Sequence, residues 1–354
     1  MAKKNINIDE ILAEAESKQI QDLKKDNLRL LKQLDKAKNK KADMVDAVYQ
    51  AVDTNLKLWD KPKIPKPILS KRTKKEEIAI AVLSDIQLAK VTPEYNSEIA
   101  EIRVIEYAKK IVELTNLQRK SHPINKCAVF AVGDIIEGEL IFPGQSHLID
   151  SSLYKQVTID GPRIMSAFFD ILLANFAEVD VHWVIGNHGH LGGRSRKDYH
   201  PDSNADRMLG SIMSMVYRDE KRIKWTIPDS SGDNHWFDIA DLGENCKFLL
   251  WHGDNVRGFS GFPWYGFGKK LQGWKTLAAN GMMEPFDMAV AGHFHTPTTM
   301  YLNGIRLWVN GSTESYNTYA LEQLACMGRP CQWLLFCKDG AGVTAEYLVN
   351  LDDV

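Results

Sequence analysis

The sequence predicts an α/β domain built on a largely buried sheet, with a long charged helix in front of it. From residue 78 onward, apolar runs recur that end in polar or glycine residues, among them IAIAVLSD, CAVFAVGD, VDVHWVIGNH, KFLLWHGD and FDMAVAGHFH. Helical patterns over 97–117, 161–178 and 203–219 separate the early runs. Continuous apolar strands that alternate with helices are typical of a sheet covered on both faces.

Residues 6 to about 59 have the pattern of one long helix, and we predict that residues 1–60 form a coiled coil. Counted in sevens from Ile20, most a and d positions are apolar: Ile20, Leu23, Leu30, Leu34, Ala37, Met44, Val48, Ala51 and Leu58. Asn27 and Asn55 occupy a positions, where a polar residue fixes the register and favours a parallel dimer. A homodimer through this helix is therefore expected. The alternative is a single amphipathic helix that folds back on the body.

Residues 61–77, KPKIPKPILSKRTKKEE, predict a stiff basic linker ahead of the domain at 78–354. Three prolines exclude a helix from its first half, and lysines and arginines dominate the remainder. Such a segment is suited to contact a phosphate backbone, and it is equally suited to be a solvated hinge.

The overall composition excludes several classes of protein. Hydrophobic residues make up 44% and charged residues 25% of the 354 positions, as in ordinary globular proteins. A net charge of -2 means that any polyanion would have to bind a local patch. No apolar run approaches the length of a membrane span, and MAKKNINIDEIL lacks the apolar core of a signal peptide. Together with an odd number of cysteines, these features predict a cytoplasmic protein without a disulfide framework.

The chemistry is concentrated at the ends of the predicted strands. Five consecutive strands deliver possible metal ligands at their carboxyl ends: Asp85, Asp134, Asn187 with His188, His252, and His293 with His295. One aspartate in such a place is more often a turn former or helix cap, but five in series indicate a metal site at the edge where α/β sheets bind ligands. The side chains of His293 and His295 are expected on one side of an extended strand.

This order of motifs resembles that of the calcineurin-like metallophosphoesterases over residues 78–350. The resemblance implies a four-layer αββα sandwich of two mixed sheets, with two divalent metal ions at the strand ends. It implies that one ion is held by Asp85, Gln87, Asp134 and His295, and the other by Asp134, Asn187, His252 and His293. It further implies that Asp134 bridges the ions and that His188 faces the substrate as a general acid.

Two positions depart from the family pattern. Gln87 stands where the family usually has histidine, and its harder oxygen donor favours manganese or magnesium over zinc or iron. Gln87 either binds the metal weakly or contacts the metal-binding residues without binding the metal itself. Gly189 stands where an acid usually orients the catalytic histidine, so His190 or a carboxylate elsewhere is expected to replace it.

Two basic segments flank the predicted metals, 186–207 and the aromatic-rich 253–275. Aromatic rings stack on bases and cations pair with phosphates, which makes these segments candidates for substrate binding. The candidate residues are Arg194, Arg196, Arg257, Trp264, Tyr265 and Lys269. The alternative for 253–275 is a glycine-rich loop that packs its aromatic rings onto the body or a dimer partner.

Basic loops, dimerisation and the motif set together resemble DNA-repair nucleases of the SbcD type, and finer details resemble phosphoesterases encoded by phages and prophages. The predicted function is therefore hydrolysis of phosphodiester bonds in DNA or RNA. Two alternatives stay open: a phosphodiesterase or phosphatase acting on nucleotides or small phosphoesters, and a weakly active coiled-coil assembly or binding protein.

Overall fold

The structure is a computed structural model that describes residues 25, 29, 50, 64–69, 76–192, 200, 202–231, 235–257, 261–317, 321–322 and 327–353. The chain divides into two compact units, Met1–Trp59 and Asp60–Val354. The predicted coiled coil and most of the predicted linker fall outside the described residues, so dimerisation through the helix stays a prediction.

The first sheet has six strands in the order β11-β10-β1-β2-β3-β4. Strands β1 to β4 are parallel, whereas β10 and β11 each run antiparallel to their neighbours. The bounds are β1 Ile78–Leu83, β2 Lys126–Val132, β3 Glu178–Val184, β4 Ile223–Thr226, β10 Cys331–Lys338 and β11 Gly342–Asn350.

The second sheet has five strands in the order β5-β6-β7-β9-β8. Its central strands β6, β7 and β9 are parallel, and both edge strands are antiparallel to their neighbours. The bounds are β5 Phe237–Asp241, β6 Lys247–Trp251, β7 Met288–Ala291, β8 Thr298–Leu302 and β9 Ile305–Val309.

Helices cover the outer faces of both sheets. On the first sheet lie α1 Ser97–Gln118, α2 Gly161–Asn175 and α3 Ala205–Val216. Two short turns, Leu153–Lys155 and the π-helical Gln156–Asp160, lead into α2, and a 3₁₀ turn spans Gln145–His147. Asn96 and Asn204 cap α1 and α3 with their side chains, which accept the free N–H groups of each first turn. On the second sheet lies α4, Trp264–Ala279, which packs its buried rings against the strands.

Large side chains from both sheets fill the space between them. Phe130 on the first sheet contacts Phe248 on the second at 5.3 Å between ring centroids, and both are fully buried with Trp308. The result is the predicted αββα sandwich, and this part of the fold prediction is confirmed. Within the described part of the chain, no helix is both long and apolar enough to cross a membrane.

The sequence missed elements for identifiable reasons. Strands β4, β5 and β8 are edge strands with partly exposed side chains, so they lack the continuous apolar runs that marked the central strands. The interpretation of 253–275 as a loop is wrong for its second half, where α4 begins at Trp264 despite three glycines.

A disulfide joins Cys246, in the turn before β6, to Cys337 on β10. The two cysteines are 91 residues apart in sequence, and only the packing of one sheet on the other brings them together. The sequence, with its odd number of cysteines, predicted no disulfide framework and did not predict this bond.

Candidate metal centre and active site

Both sheets direct the predicted ligands to one edge. In the first sheet, the parallel strands β1, β2 and β3 end shortly before Asp85, Asp134 and Asn187. In the second, the parallel strands β6 and β7 end shortly before His252 and His293. Because the carboxyl ends of neighbouring parallel strands meet at one edge, side chains from distant parts of the sequence come together there.

Four of these side chains surround one point, and we call them the Asp134 cluster: Asp134, Asn187, His252 and His293. Ligand atoms of Asp134, His252 and His293 all lie within 4.8 Å of one another. The His252 Nε2 atom lies 2.9 Å from Asp134 Oδ2, 3.1 Å from Asn187 Oδ1 and 3.3 Å from His293 Nδ1. Carboxylate, amide oxygen and imidazole are all donors that divalent transition metals accept.

The hydrogen bonds and charges of the cluster fit a bound cation. His252 Nδ1 donates to the carbonyl of Val132 at 2.8 Å, which leaves Nε2 facing the cluster. Burial opposes protonation of His252, but the Asp134 carboxylate outweighs burial and raises the pKa of His252 to about 10. Burial and the neighbouring His252 lower the pKa of His293 to about 4, so His293 keeps a lone pair. A positive charge beside the buried carboxylate is therefore favoured, and either a protonated His252 or a metal ion can provide it.

The other predicted metal position lies around His295. His295 Nε2 lies 3.3 Å from both Asp85 Oδ1 and Gln87 Nε2. On the opposite side of the ring, Nδ1 lies 2.7 Å from Glu314 Oε1. Although burial opposes its ionisation, Glu314 has a pKa below its usual range because His295 and Lys90 are close. Glu314 orients His295 as carboxylates commonly orient metal-binding imidazoles. Sequence reasoning missed it, although it follows β9 closely in NGSTE.

The structure places Glu137 against His188, the predicted general acid. His188 Nδ1 hydrogen-bonds the Glu137 carbonyl at 3.1 Å and forms an ion pair with its carboxylate at 3.0 Å. The other ring nitrogen, Nε2, lies 4.0 Å from Asp134 Oδ2. Burial disfavours the imidazolium, but the charges of Asp134 and Glu137 outweigh it and raise the pKa of His188 to about 9. These two carboxylates therefore favour the protonated form of His188.

Gly189 lacks the acid of the family pattern because there is no room for a side chain. A Cβ at Gly189 would lie 2.5 Å from Asn204 Oδ1 and 2.9 Å from the backbone nitrogen of Asp206. Asn204 uses that oxygen to cap α3. The Asn204 cap thus leaves no room for a side chain at position 189, and Glu137 contacts His188 from the loop after β2.

A buried carboxylate that no motif predicted joins the two loops that follow β2 and β3. Asp206 is fully buried in the first turn of α3. One of its oxygens accepts the backbone N–H groups of Asp134 and Gly186 at 2.9 Å, and the other accepts those of Ile135 and Ile136 at 3.1 Å. Burial and the nearby Asp134 raise the pKa of Asp206 to about 6. Its position in the sequence resembles that of any acid near a helix N-terminus, which is why it was missed.

Backbone strain is concentrated at the same edge. Asp85, Gln87, Asp134, His293 and His295 have φ angles of 52°, 48°, 53°, 73° and 50°. They are five of the nine non-glycine residues with positive φ in the described part of the chain. Left-handed conformations are unfavourable for such residues and cluster at functional sites. The expectation of an extended strand through His293 and His295 is wrong, because β7 ends at Ala291 and the chain turns at both histidines.

Of the candidate substrate residues, Arg194 and Arg196 fall outside the described part of the chain. Arg257 and Lys269 are exposed, as are Trp264 and Tyr265 at the start of α4, with 51% and 83% of their surface accessible.

A row of contacting rings connects α4 to the metal centre. His293 contacts Phe294 at 4.9 Å between centroids, Phe294 contacts Phe262 at 5.6 Å, and Phe262 contacts Trp264 at 4.6 Å. Other aromatic residues of the same segment, Phe267 and Trp274, are buried in the core as the alternative interpretation expected. The aromatic residues are therefore divided between packing and an exposed surface.

No family model and no curated protein matches the chain. Among solved structures, similar ones include a predicted phosphoesterase from Streptococcus pneumoniae, with 12% identity and a TM-score of 0.32 over 77% of this chain and 98% of that one. A novel archaeal phosphodiesterase has 11% identity and a TM-score of 0.33 over 77% and 99%. A putative 5'-nucleotidase from Staphylococcus aureus has 11% identity and a TM-score of 0.35 over 78% and 55%. TM-scores this low carry no argument about function.

The fold and the site agree with the order of motifs in the sequence. Two packed mixed sheets meet at an edge where carboxylate, amide and imidazole groups converge and could hold a metal ion. The fold is the αββα sandwich that the resemblance to the calcineurin-like metallophosphoesterases implied.

Proposed function

We propose that the protein is a metal-dependent phosphoesterase that hydrolyses phosphodiester bonds in DNA or RNA. The observation that carries the proposal is the position of an imidazole beside a cluster of possible metal ligands: His188 Nε2 lies 4.0 Å from Asp134 Oδ2, and ligand atoms of Asp134, His252 and His293 lie within 4.8 Å of one another. A phosphoryl group bound there would meet positive charge at its oxygens and a proton donor for its leaving oxygen.

Different residues of the chain would bind metal and donate the proton. The Asp134 cluster would hold a divalent ion, with manganese or magnesium favoured, and the family resemblance adds a second ion held by Asp85, Gln87, Asp134 and His295. Such ions polarise a phosphoryl oxygen and increase the acidity of bound water. Glu137 accepts from His188 Nδ1, which leaves Nε2 facing the cluster, where it would deliver a proton to the leaving oxygen.

Support for a nucleic acid substrate comes from the surface beside the centre. Trp264 and Tyr265 expose apolar rings next to exposed Lys269, and Trp264 is connected to His293 by a row of contacting rings. Stacked bases and paired phosphates would use both kinds of group. A small phosphoester would occupy the metal centre without reaching these residues.

The chemistry is tested with bis(p-nitrophenyl) phosphate and added Mn²⁺, Mg²⁺ or Zn²⁺. Asp134→Asn and His188→Ala should each reduce kcat by at least 100-fold, on the scale of general acid-base and electrostatic contributions. His122→Ala is the matched control, because His122 is partly exposed and its ion-pair partner, at 3.7 Å, is Glu77. Unchanged turnover in both site variants would refute the active-site assignment.

The substrate class is tested with single- and double-stranded DNA, RNA and cyclic nucleotides. The double change Trp264→Ala and Tyr265→Ala should weaken binding of a single-stranded oligonucleotide about 5- to 150-fold, the range for losing stacking on one base. It should leave turnover of bis(p-nitrophenyl) phosphate unchanged. Tyr301→Ala is the control, since Tyr301 is 70% exposed on β8. Turnover of nucleotides alone, with no salt-sensitive polynucleotide binding, would favour the small-phosphoester alternative.

A further inference from the structure

The side-chain amide of Gln87 has a defined orientation. Lys90 Nζ lies 2.6 Å from Gln87 Oε1. Because an ammonium group can only donate, the atom it contacts must be the amide oxygen. The amide nitrogen therefore faces the site, 3.3 Å from His295 Nε2 and 3.4 Å from His188 Nε2.

This orientation is wrong for binding a metal. The oxygen is the atom of Gln87 that ligates metal ions, and it points away from the site toward Lys90. The amide NH₂ group, which has no lone pair to offer, occupies the space between the imidazoles of His188 and His295.

An ion pair holds Lys90 beside the Gln87 oxygen. Lys90 forms an ion pair with Glu314, and the two side chains are 16% and 4% exposed. The ammonium group is thus fixed in place rather than solvated, and it holds the Gln87 oxygen away from the second position. At the Asp134 cluster, the Asn187 oxygen already faces the other ligands, 3.1 Å from His252 Nε2. In the described ranges, the residues Asp134, His252 and His293 form the only close group of three acidic, histidine or cysteine ligands.

We infer that the metal centre is unequal: one ion binds tightly at the Asp134 cluster, and a second binds at least tenfold more weakly, after the Gln87 amide has turned away from Lys90. The inference rests on the metal chemistry of the proposed function. It assigns Lys90 and Gln87 together as the residues that control occupancy of the second position.

The test is a titration of the full-length, metal-free protein with Mn²⁺, followed by calorimetry and by the electron paramagnetic resonance signal of free Mn²⁺. Wild type should bind one ion tightly and a second at least tenfold more weakly. Lys90→Met removes the charge and releases the Gln87 oxygen, and Gln87→His supplies an imidazole. Each should strengthen the second binding step at least tenfold and leave the first within threefold. Lys90→Arg keeps the charge and should retain the weak second step.

Two tight ions of equal affinity in wild type would overturn the inference, and so would a second step that neither Lys90→Met nor Gln87→His changes. Circular dichroism and thermal unfolding of each variant establish that it is folded. The outcome is separable from the proposed function. A protein that binds one tight and one weak ion but hydrolyses no phosphodiester refutes the function and leaves the inference standing, whereas an active enzyme with two equal ions does the reverse.

Discussion

Replacing Asp206 with asparagine is expected to loosen the two loops that carry Asp134 and Asn187. The two Asp206 oxygens accept four backbone N–H groups, two each. Asparagine keeps one oxygen and places an NH₂ group where the other was, so that donors face donors on one side. Whichever way the amide turns, the loop after β2 loses at least one of its three hydrogen bonds to this side chain.

The magnitude follows from the number of bonds lost. A hydrogen bond to a charged group contributes about 1.5–3 kcal/mol, so losing two costs about 3–6 kcal/mol. Removing the repulsion between Asp206 and Asp134, which contributes to the raised pKa of Asp206, offsets part of that loss. We expect a net loss of about 3 kcal/mol in the free energy of unfolding, or a decrease of roughly 6–12 °C in Tm for a domain of this size.

The assay is thermal unfolding of full-length protein with and without Mn²⁺, combined with a Mn²⁺ titration. Because the displaced loop carries Asp134, affinity for the first ion should fall at least tenfold, and the stabilisation that Mn²⁺ gives should shrink accordingly. Asp219→Asn is the control, since its carboxylate is 88% exposed. A variant of Asp206 with wild-type Tm and wild-type Mn²⁺ affinity would refute the reasoning.

Three further predictions concern other parts of the chain. Glu137→Gln should reduce kcat about 10- to 100-fold with the Mn²⁺ affinity unchanged, because Glu137 orients His188 and is not among the predicted ligands; Glu113→Gln on the exposed face of α1 is the control. Burial opposes charging of His182, but Asp180 and Asp238 raise its pKa to about 9. The interactions of His182 with Asp180 and Asp238 should therefore stabilise the fold fully below about pH 6.5 and lose about 3 kcal/mol in total as the pH rises to about 9, and urea unfolding of wild type against Asp238→Asn should show the part that Asp238 contributes. Removing residues 1–60 should convert a dimer to a monomer in sedimentation experiments. A full-length chain that is already monomeric, and stays monomeric after the truncation, would contradict the coiled-coil prediction.

The sequence predicted the central strands and the convergence of their ends because both depend on local patterns. An apolar run that ends in glycine and a polar residue describes a buried strand, and parallel pairing then brings Asp85, Asp134 and Asn187 to one edge. No long-range contact has to be known for this step. The edge strands β4, β5 and β8 lacked such runs. Helix α4 was not recognised because its glycines and aromatic residues suggested a loop.

The groups that orient the ligands could not be predicted in the same way. Asp206 accepts N–H groups from two loops, and Glu314 meets His295 only because β9 lies beside β7. Each contact depends on the packing of separate segments, and nothing in the local sequence distinguishes these acids from surface acids. Glu137 is intermediate: it lies three residues after the predicted ligand Asp134, but its pairing with His188 depends on β2 and β3 being neighbours.

The histidine pair at 293 and 295 shows how local sequence and fold combine at this site. On an extended strand, two residues with a spacing of two would direct both rings to one place. The left-handed backbone at both positions turns the chain instead, so that His293 faces His252 in the Asp134 cluster and His295 faces Asp85. Asp85 also accepts the backbone N–H of His293 at 3.1 Å. One short strained loop therefore serves both metal positions, and the unequal affinity inferred for them must arise from their other neighbours, Gln87 and Lys90, rather than from the histidines.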